Sequence, residues 1–259
     1  MLFFDTLNFF KCIAYSLHCT TFVCLSADVH VFSFTIYFLL FCFFYIVPLP
    51  RTLAVYPLDR ARGGRDISRR KNPSARVAGV RYGLGPDGRR DGCSVFYGRR
   101  NSYVEIPNTG SLDARYSMTI LIWLYHVGRA GPVVNYNPNG YGVHLWTTAR
   151  RELFARFVRR NGRMTKPLRS RRLKYRAWNY VGATYDERTG IATLWINSRP
   201  YVRRRLGLLR LSTNYPIRLG AIRRSRSYLR GRLFCLQLYS VALNRKQIFE
   251  AKRKCFLPG

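Results

Sequence analysis

Short runs of arginine are the side chains of this sequence best suited to bind something. Arg159, Arg160 and Arg163 adjoin an Asn-Gly turn, and Arg169, Arg171, Arg172, Lys174 and Arg176 follow within a short span. Arg203, Arg204 and Arg205 are consecutive, while Arg223, Arg224, Arg226, Arg230 and Arg232 surround Tyr228. A guanidinium offers a planar fork of donors that pairs bidentately with carboxylate, phosphate or sulfate, whereas an ammonium acts as a point charge. Of the 45 basic residues 38 are arginine, against 12 acidic ones, for a formal net charge of +33. A polyanionic partner is one reading of that excess. A solvated arginine-rich surface with no specific ligand is the other, since net charge speaks to association and not to fold. The triplet 203–205 limits the first reading, because neighbouring side chains on a strand point to opposite faces.

Carboxylates are scarcer. Hydrolysis of a glycosidic bond needs a pair facing each other across a groove, one to protonate the leaving oxygen and one to attack or to activate water. Asp186 and Glu187 lie together in a polar turn, and Glu105 and Glu152 stand singly in strand-like segments. No closely spaced acidic set falls on one strand face, so hydrolysis is not expected. Calcium would draw on several oxygen ligands, with Asn101, Asp186 and backbone carbonyls as the available set. The few acids and the positive potential oppose it, and no cofactor is expected. Four cysteines, Cys12, Cys19, Cys24 and Cys42, lie in an apolar N-terminal stretch, and only Cys93, Cys235 and Cys255 follow. The absence of a Cys-x-x-Cys pair or a Cys/His cluster argues against structural zinc. His126 and His144 fall inside strand-like segments, where an ordinary hydrogen-bonded histidine is the expectation. Nucleic-acid binding is permitted by the charge, but no helix-turn-helix, aromatic RNP stretch or finger is present, so such binding would be to the backbone and independent of sequence.

The elements that must position these groups begin after residue 50. Residues 1–50 form an apolar leader, in which the uncharged run 29–47 suits a bilayer crossing of roughly 20 residues. A membrane helix is the first reading. A cleaved signal peptide has a shorter apolar core and a small-residue cleavage site, and Pro48-Leu49-Pro50 is a poor one. Lys11 alone precedes the run, while Arg51, Arg60, Arg62, Arg65, Arg69, Arg70 and Lys71 follow it. That asymmetry puts the C-terminal part in the cytosol by the positive-inside tendency. A leader absent from the mature protein is the third alternative.

From Leu53 onward the pattern is one of short strands with Gly/Pro punctuation, which predicts a β sandwich. Residues 118–125 alternate, with Met118, Ile120, Ile122 and Leu124 on one side and Thr119, Leu121, Trp123 and Tyr125 on the other, so both faces of an inner strand can be buried. Asn244 with Gln247 three residues on is a variant of the capping box and predicts a short helix over about 245–254. The centre of the pattern is 176–200. Residues 178–185 and 191–197 share an aromatic, Val and Thr-rich composition and flank the polar connection Asp186-Glu187-Arg188-Thr189-Gly190, a hairpin signal.

Trp-x-Tyr-Val-Gly-Ala-Thr-Tyr-Asp, a polar turn closing on Gly, and the return Leu-Trp-Ile-Asn resemble the central hairpin of laminin-G-like jelly rolls, within the concanavalin A-like lectin/glucanase superfamily. Leu53-Ala54-Val55-Tyr56-Pro57-Leu58, Tyr103-Val104-Glu105-Ile106 and Leu112-Asp113-Ala114 fit the same pattern, and the resemblance covers residues 53–256. It implies an all-β antiparallel jelly-roll sandwich with a short C-terminal helix, acting as a non-catalytic extracellular or membrane-anchored binding module. Its implied partners are sulfated or other anionic glycans or matrix proteins, bound through the 159–163, 169–176 and 223–232 arginines. A structural or protein-interaction role without glycan specificity stays open beside it. The resemblance also implies a Cys235–Cys255 disulfide tying the C-terminal end back to the sheet, with Cys93 left over; a cytosolic domain would instead keep all three thiols reduced.

Overall fold

The computed structural model describes residues 48–128 and 130–256. The strands are β1 (Ala54–Tyr56), β2 (Arg76–Ala78), β3 (Arg81–Gly83), β4 (Cys93–Tyr97), β5 (Tyr103–Ile106), β6 (Met118–His126), β7 (Gly131–Tyr136) and β8 (His144–Thr147), then β9 (Leu153–Arg156), β10 (Leu168–Ser170), β11 (Trp178–Asp186), β12 (Ile191–Ile196), β13 (Arg199–Arg205), β14 (Ile217–Leu219) and β15 (Arg230–Tyr239). A single described helix, α1 (Arg245–Ala251), closes the chain. The first sheet runs β13-β12-β11-β6-β15-β4-β3, with β1 pairing beside β4 on the same edge of β15. The second runs β10-β9-β8-β7-β14-β5-β2. Every pairing is antiparallel. This is the two-sheet antiparallel sandwich that the strand pattern predicts.

The inward residues of both sheets make one core. Ile120, Ile122 and Leu124 of β6, Val181 and Ala183 of β11, Leu145 of β8 and Ile217 of β14 all belong to it. The first sheet is covered on its other face too. Leu121, Trp123, Tyr180, Trp195, Phe234 and Tyr239 pack there beneath Ile248 and Ala251 of α1. That second layer explains why β6 and β11 are buried at nearly every position: a strand covered on both faces has no solvent side. The helix starts at Asn244, whose side chain accepts from the Gln247 N–H while the Gln247 side chain accepts from the Asn244 N–H, so both orphan donors are satisfied. It ends three residues before the expected boundary.

β15 changes phase on the way. Against β6 its register shifts between Phe234 and Gln237, one residue being extra, and Cys235 takes φ 54° there. This bulge turns both Phe234 and Cys235 to the outer face, while Leu233 and Leu236 stay in the inter-sheet core. Cys235 then meets Cys255 in a disulfide with the Cα atoms 5.8 Å apart. Cys93 is a buried free thiol near the Gly83 and Leu84 carbonyls, and burial pushes it up to about 11. The basic loop 60–73 is organised around the Asp66 carboxylate, which accepts from the Val55 and Ser68 backbone N–H groups and from Asn72 Nδ2. Among the described residues no helix is long and apolar enough to cross a membrane. The apolar run 29–47 lies outside the described residues.

Candidate functional site

The basic runs that are continuous in sequence are divided by the fold. Arg160 is taken up internally: its Nη1 donates to both Asp113 carboxylate oxygens at 2.8 Å, and Thr213 Oγ1 donates to the same carboxylate. Arg159 reaches the Leu208 carbonyl, and Arg163 is exposed at the turn. Arg171 pairs with Glu152 at 2.9 Å and holds that carboxyl below its usual range. Arg172 and Lys174 are exposed, and Arg176 lies over Tyr175. Arg230 and Arg232 stand on the first sheet, Arg232 over the Tyr125 ring with Nη1 donating to the Leu84 carbonyl. Arg224 and Arg226 are exposed in the loop after β14. Only Arg169, on β10, and Arg223, after β14, border hollows on the second sheet.

The outer face of that second sheet gathers residues from strands far apart in sequence. Arg156, His144, Asn135, Arg218, Glu105 and Arg76 are successive cross-strand partners from β9 to β2. Beside them runs a row in which Arg169 faces Phe154 and Phe154 faces Trp146. Alternation puts these side chains outward because their neighbours Leu145, Leu153, Ala155 and Leu168 fill the core.

At the β8–β10 end the face is aromatic and cationic. The Phe154 ring carries two guanidinium groups, Arg156 and Arg169, each with Cζ 5.2 Å from its centroid. His144 stacks on Phe154 at 5.6 Å and 12°, and Tyr141 leans on both His144 and Trp146. Tyr141 is nevertheless 41% exposed. Trp146 Nε1 donates to Asn135 Oδ1, which fixes the indole. Trp146, Phe154, Arg150 and Arg169 line a hollow of about 480 Å³, with the Arg171-paired Glu152 at its rim. Burial, then the Arg169 charge, holds the Arg156 guanidinium below its ordinary pKa. Two like charges held over one ring set up a site that an anion would relieve.

His144 is neutral in this setting. Nδ1 lies 2.8 Å from the Gly142 carbonyl and therefore carries the proton. Burial pushes the imidazole down to about 4; the Gly142 hydrogen bond opposes the shift and the Arg156 charge adds to it. An unfolded histidine takes its proton near 6.5, so the unfolded chain binds more protons between that pH and about 4. This contribution to stability is whole above the window and is lost as pH falls through it. We expect a loss on the order of 3 kcal/mol on this account. Urea denaturation at pH 7 and pH 4.5 checks it: His144→Gln should flatten the slope, and an unchanged slope would refute the assignment.

The acidic residues singled out in the sequence form no facing pair among the described residues. Asp186 is bonded within its own turn to Arg188 N and Thr189 Oγ1, Glu105 pairs with Arg218, and Glu152 with Arg171. Asn101 and Asp186 line different hollows, and among the described residues no group of three His, Cys, Asp or Glu is placed to hold a metal.

Sequence reasoning passed over Tyr141, Trp146, Phe154, Arg156 and Arg218. The signal available was alternation, with large aromatic or cationic residues at the outward positions of β8 and β9, but β10 is only three residues long and its pairing with β9 is not written in any local pattern.

A two-sheet antiparallel sandwich with a basic, aromatic outer sheet face defines a jelly-roll domain of the lectin type. Residues 98–249 match the family model Laminin G 3, described as the concanavalin A-like lectin/glucanases superfamily, and the chain belongs to that family. No curated protein matches it in sequence. Among solved structures, the binding domain of paraclostridial mosquitocidal protein 1 superposes with a TM-score of 0.63 at 18% identity, over 80% of this chain and 52% of that one. The botulinum neurotoxin serotype D ligand-binding domain in complex with N-acetylneuraminic acid does so with 0.62 at 12% identity, over 79% and 51%. The botulinum neurotoxin serotype G binding domain gives 0.60 at 13%, over 77% and 50%. The chain thus spans about half the length of the structures it resembles.

Proposed function

We propose that this domain is a non-catalytic module that binds anionic glycans across the outer face of the second sheet. The observation that carries the reading is the Phe154 ring with the Arg156 and Arg169 guanidinium groups over it, beside Trp146 and Tyr141. Aromatic faces take the C–H faces of sugar rings, and guanidinium groups take their carboxylate or sulfate substituents. One structural neighbour, the serotype D toxin ligand-binding domain, is in complex with N-acetylneuraminic acid, and that carboxylate sugar supports the class of ligand. The acidic groups of the face are each engaged by an arginine, which supports binding without hydrolysis.

The chain divides, in this reading, into a leader over residues 1–50 and a binding domain over 53–256. The disulfide supports action outside the reducing cytosol, with the leader as signal or anchor. Arg169 and Arg223 keep their assigned part in binding. Arg160 is reassigned to the fold, and Arg230 and Arg232 to the opposite sheet.

Retention of the full chain on heparin and on a panel of sialylated and sulfated glycans, with a salt titration, tests this. Affinity should fall steeply with salt as bound counterions are released. Phe154→Ala and Arg156→Ala/Arg169→Ala should each weaken binding about tenfold or more, the size expected for a central aromatic or arginine contact. No new reducing ends should appear. Retention indifferent to salt, or untouched by both variants, would refute the proposal.

A further inference from the structure

Three strands away from Phe154, the same face holds a second hollow, of about 400 Å³, lined by Arg100, Asn101, Tyr103, Arg218, Ile222 and Arg223. Arg218 points outward from β14 because Ile217 and Leu219 on either side fill the core. It is 5% exposed, with its Cζ 3.6 Å from the Tyr103 ring centroid. A buried guanidinium is normally saturated with acceptors, since an unmatched donor there costs the full desolvation penalty. Arg218 Nε lies 3.2 Å from Glu105 Oε2, yet the two are out of line and neither atom completes a hydrogen bond. Arg100 enters from the β4–β5 turn. Arg223 is held by its backbone N–H on the Pro138 carbonyl and by Nη1 on Asn139 Oδ1. Three guanidinium groups thus line the hollow, and Arg218 alone of them is paired with a carboxylate, which leaves the hollow positively charged.

We infer that this hollow is an oxyanion subsite, taking the carboxylate of a uronic acid or the O-sulfate of a hexose. The inference rests on the glycan reading of the face and names where its charged substituent goes. Arg100 and Arg223 close on the anion from solvent, Arg218 adds its guanidinium charge from the wall, Asn101 supplies an amide, and Ile222 supports the apolar side of the ring. A planar carboxylate or a tetrahedral sulfate accepts from paired guanidinium donors. Three inter-strand steps of roughly 4.8 Å across the sheet and two residues of roughly 3.3 Å along β9 put Arg218 about 16 Å from Phe154, so one oligosaccharide reaches both. Glu105, beside Arg218 on the neighbouring strand, keeps the buried guanidinium from standing as a lone charge when the hollow is empty.

The test follows the arginine Nε–Hε resonances of the full chain by NMR, with Arg218→Lys used to assign that of Arg218. The probes are free glucuronate, inorganic sulfate and glucosamine 6-sulfate, against galactose and chloride. A saturable shift of the Arg218 resonance with glucuronate, with the two sulfates, or with both is expected, and the arms tell carboxylate from sulfate recognition. Arg100→Ala/Arg223→Ala alters exposed side chains and should weaken the response about tenfold. Galactose and chloride should be silent. A shift that only tracks ionic strength, or one that survives the double variant, overturns the subsite. The two readings fail separately: Phe154→Ala should weaken heparin retention about tenfold or more while leaving the Arg218 response. A silent Arg218 in a chain that still retains heparin overturns the subsite alone. An Arg218 response without any glycan retention leaves the subsite and removes the extended face.

Discussion

Removal of the Cys235–Cys255 disulfide is expected to destabilise the domain by about 3 kcal/mol, the chain-entropy value for a closed loop of this size. The separation is 20 residues. The loop contains the last part of β15, the connector and all of α1, so its loosening removes the lid from the outer apolar layer of the first sheet. Gln237, buried in that layer, donates from Nε2 to the Ala251 carbonyl and accepts from Tyr239 Oη, and would be uncovered with it. Cys235→Ala/Cys255→Ala should lower the urea midpoint and raise hydrogen exchange first in 245–251, while exchange in β6 and β11 follows only global unfolding. An unchanged midpoint would overturn the expectation. Single-cysteine variants should fare worse than the double, since each leaves a thiol to mispair with Cys93.

Gly220→Ala is expected to cost more, about 4 kcal/mol. Gly220 has φ +86°, and an added Cβ would fall inside the contact shell of Phe96 Cδ1 and lie 2.7 Å from the Ser102 carbonyl oxygen. Left-handed backbone and overpacking each cost a side-chain residue about 1–3 kcal/mol. Phe96 belongs to the inter-sheet core and cannot swing away. Gly220 also hydrogen-bonds through its N–H to the Pro132 carbonyl and through its own carbonyl to Leu229, which sets the path of the chain from Arg218 to Arg223. Loss of stability should thus be accompanied by loss of the anion response. Gly88, φ +79° with nothing near a built Cβ, isolates the backbone share: Gly88→Ala should cost about 1 kcal/mol. Equal effects of the two substitutions in denaturant titrations would refute the packing argument.

The long elements were legible because their signals are local. The hairpin of β11 and β12 follows its composition and its Asp-Glu-Arg-Thr-Gly turn, β6 its alternation, and α1 its Asn244–Gln247 capping box. The three-residue strands β2, β3 and β10 carry no period and exist because longer neighbours recruit them. The outer layer over the first sheet was legible in β6, whose two faces are both apolar, but not in β15: the bulge that turns Phe234 and Cys235 to the same side breaks the alternation on which a strand reading depends. The candidate face was the least legible part. Its arginines come from β9, β10, β14, the β4–β5 turn and the connection after β14, so proximity is made by cross-strand register. The runs that looked like sites in the sequence were split by pleat and sheet.

One edge of the first sheet among the described residues is β13, which reads Arg199-Pro200-Tyr201-Val202-Arg203-Arg204-Arg205 and is exposed at every position except Val202. Its outward backbone groups are a template on which another copy could add a strand and begin a fibril. Pro200 removes one donor from that ladder, and a docking copy would bring a second row of guanidinium groups against the first. The arginine triplet thus disfavours strand addition at this edge by like-charge repulsion.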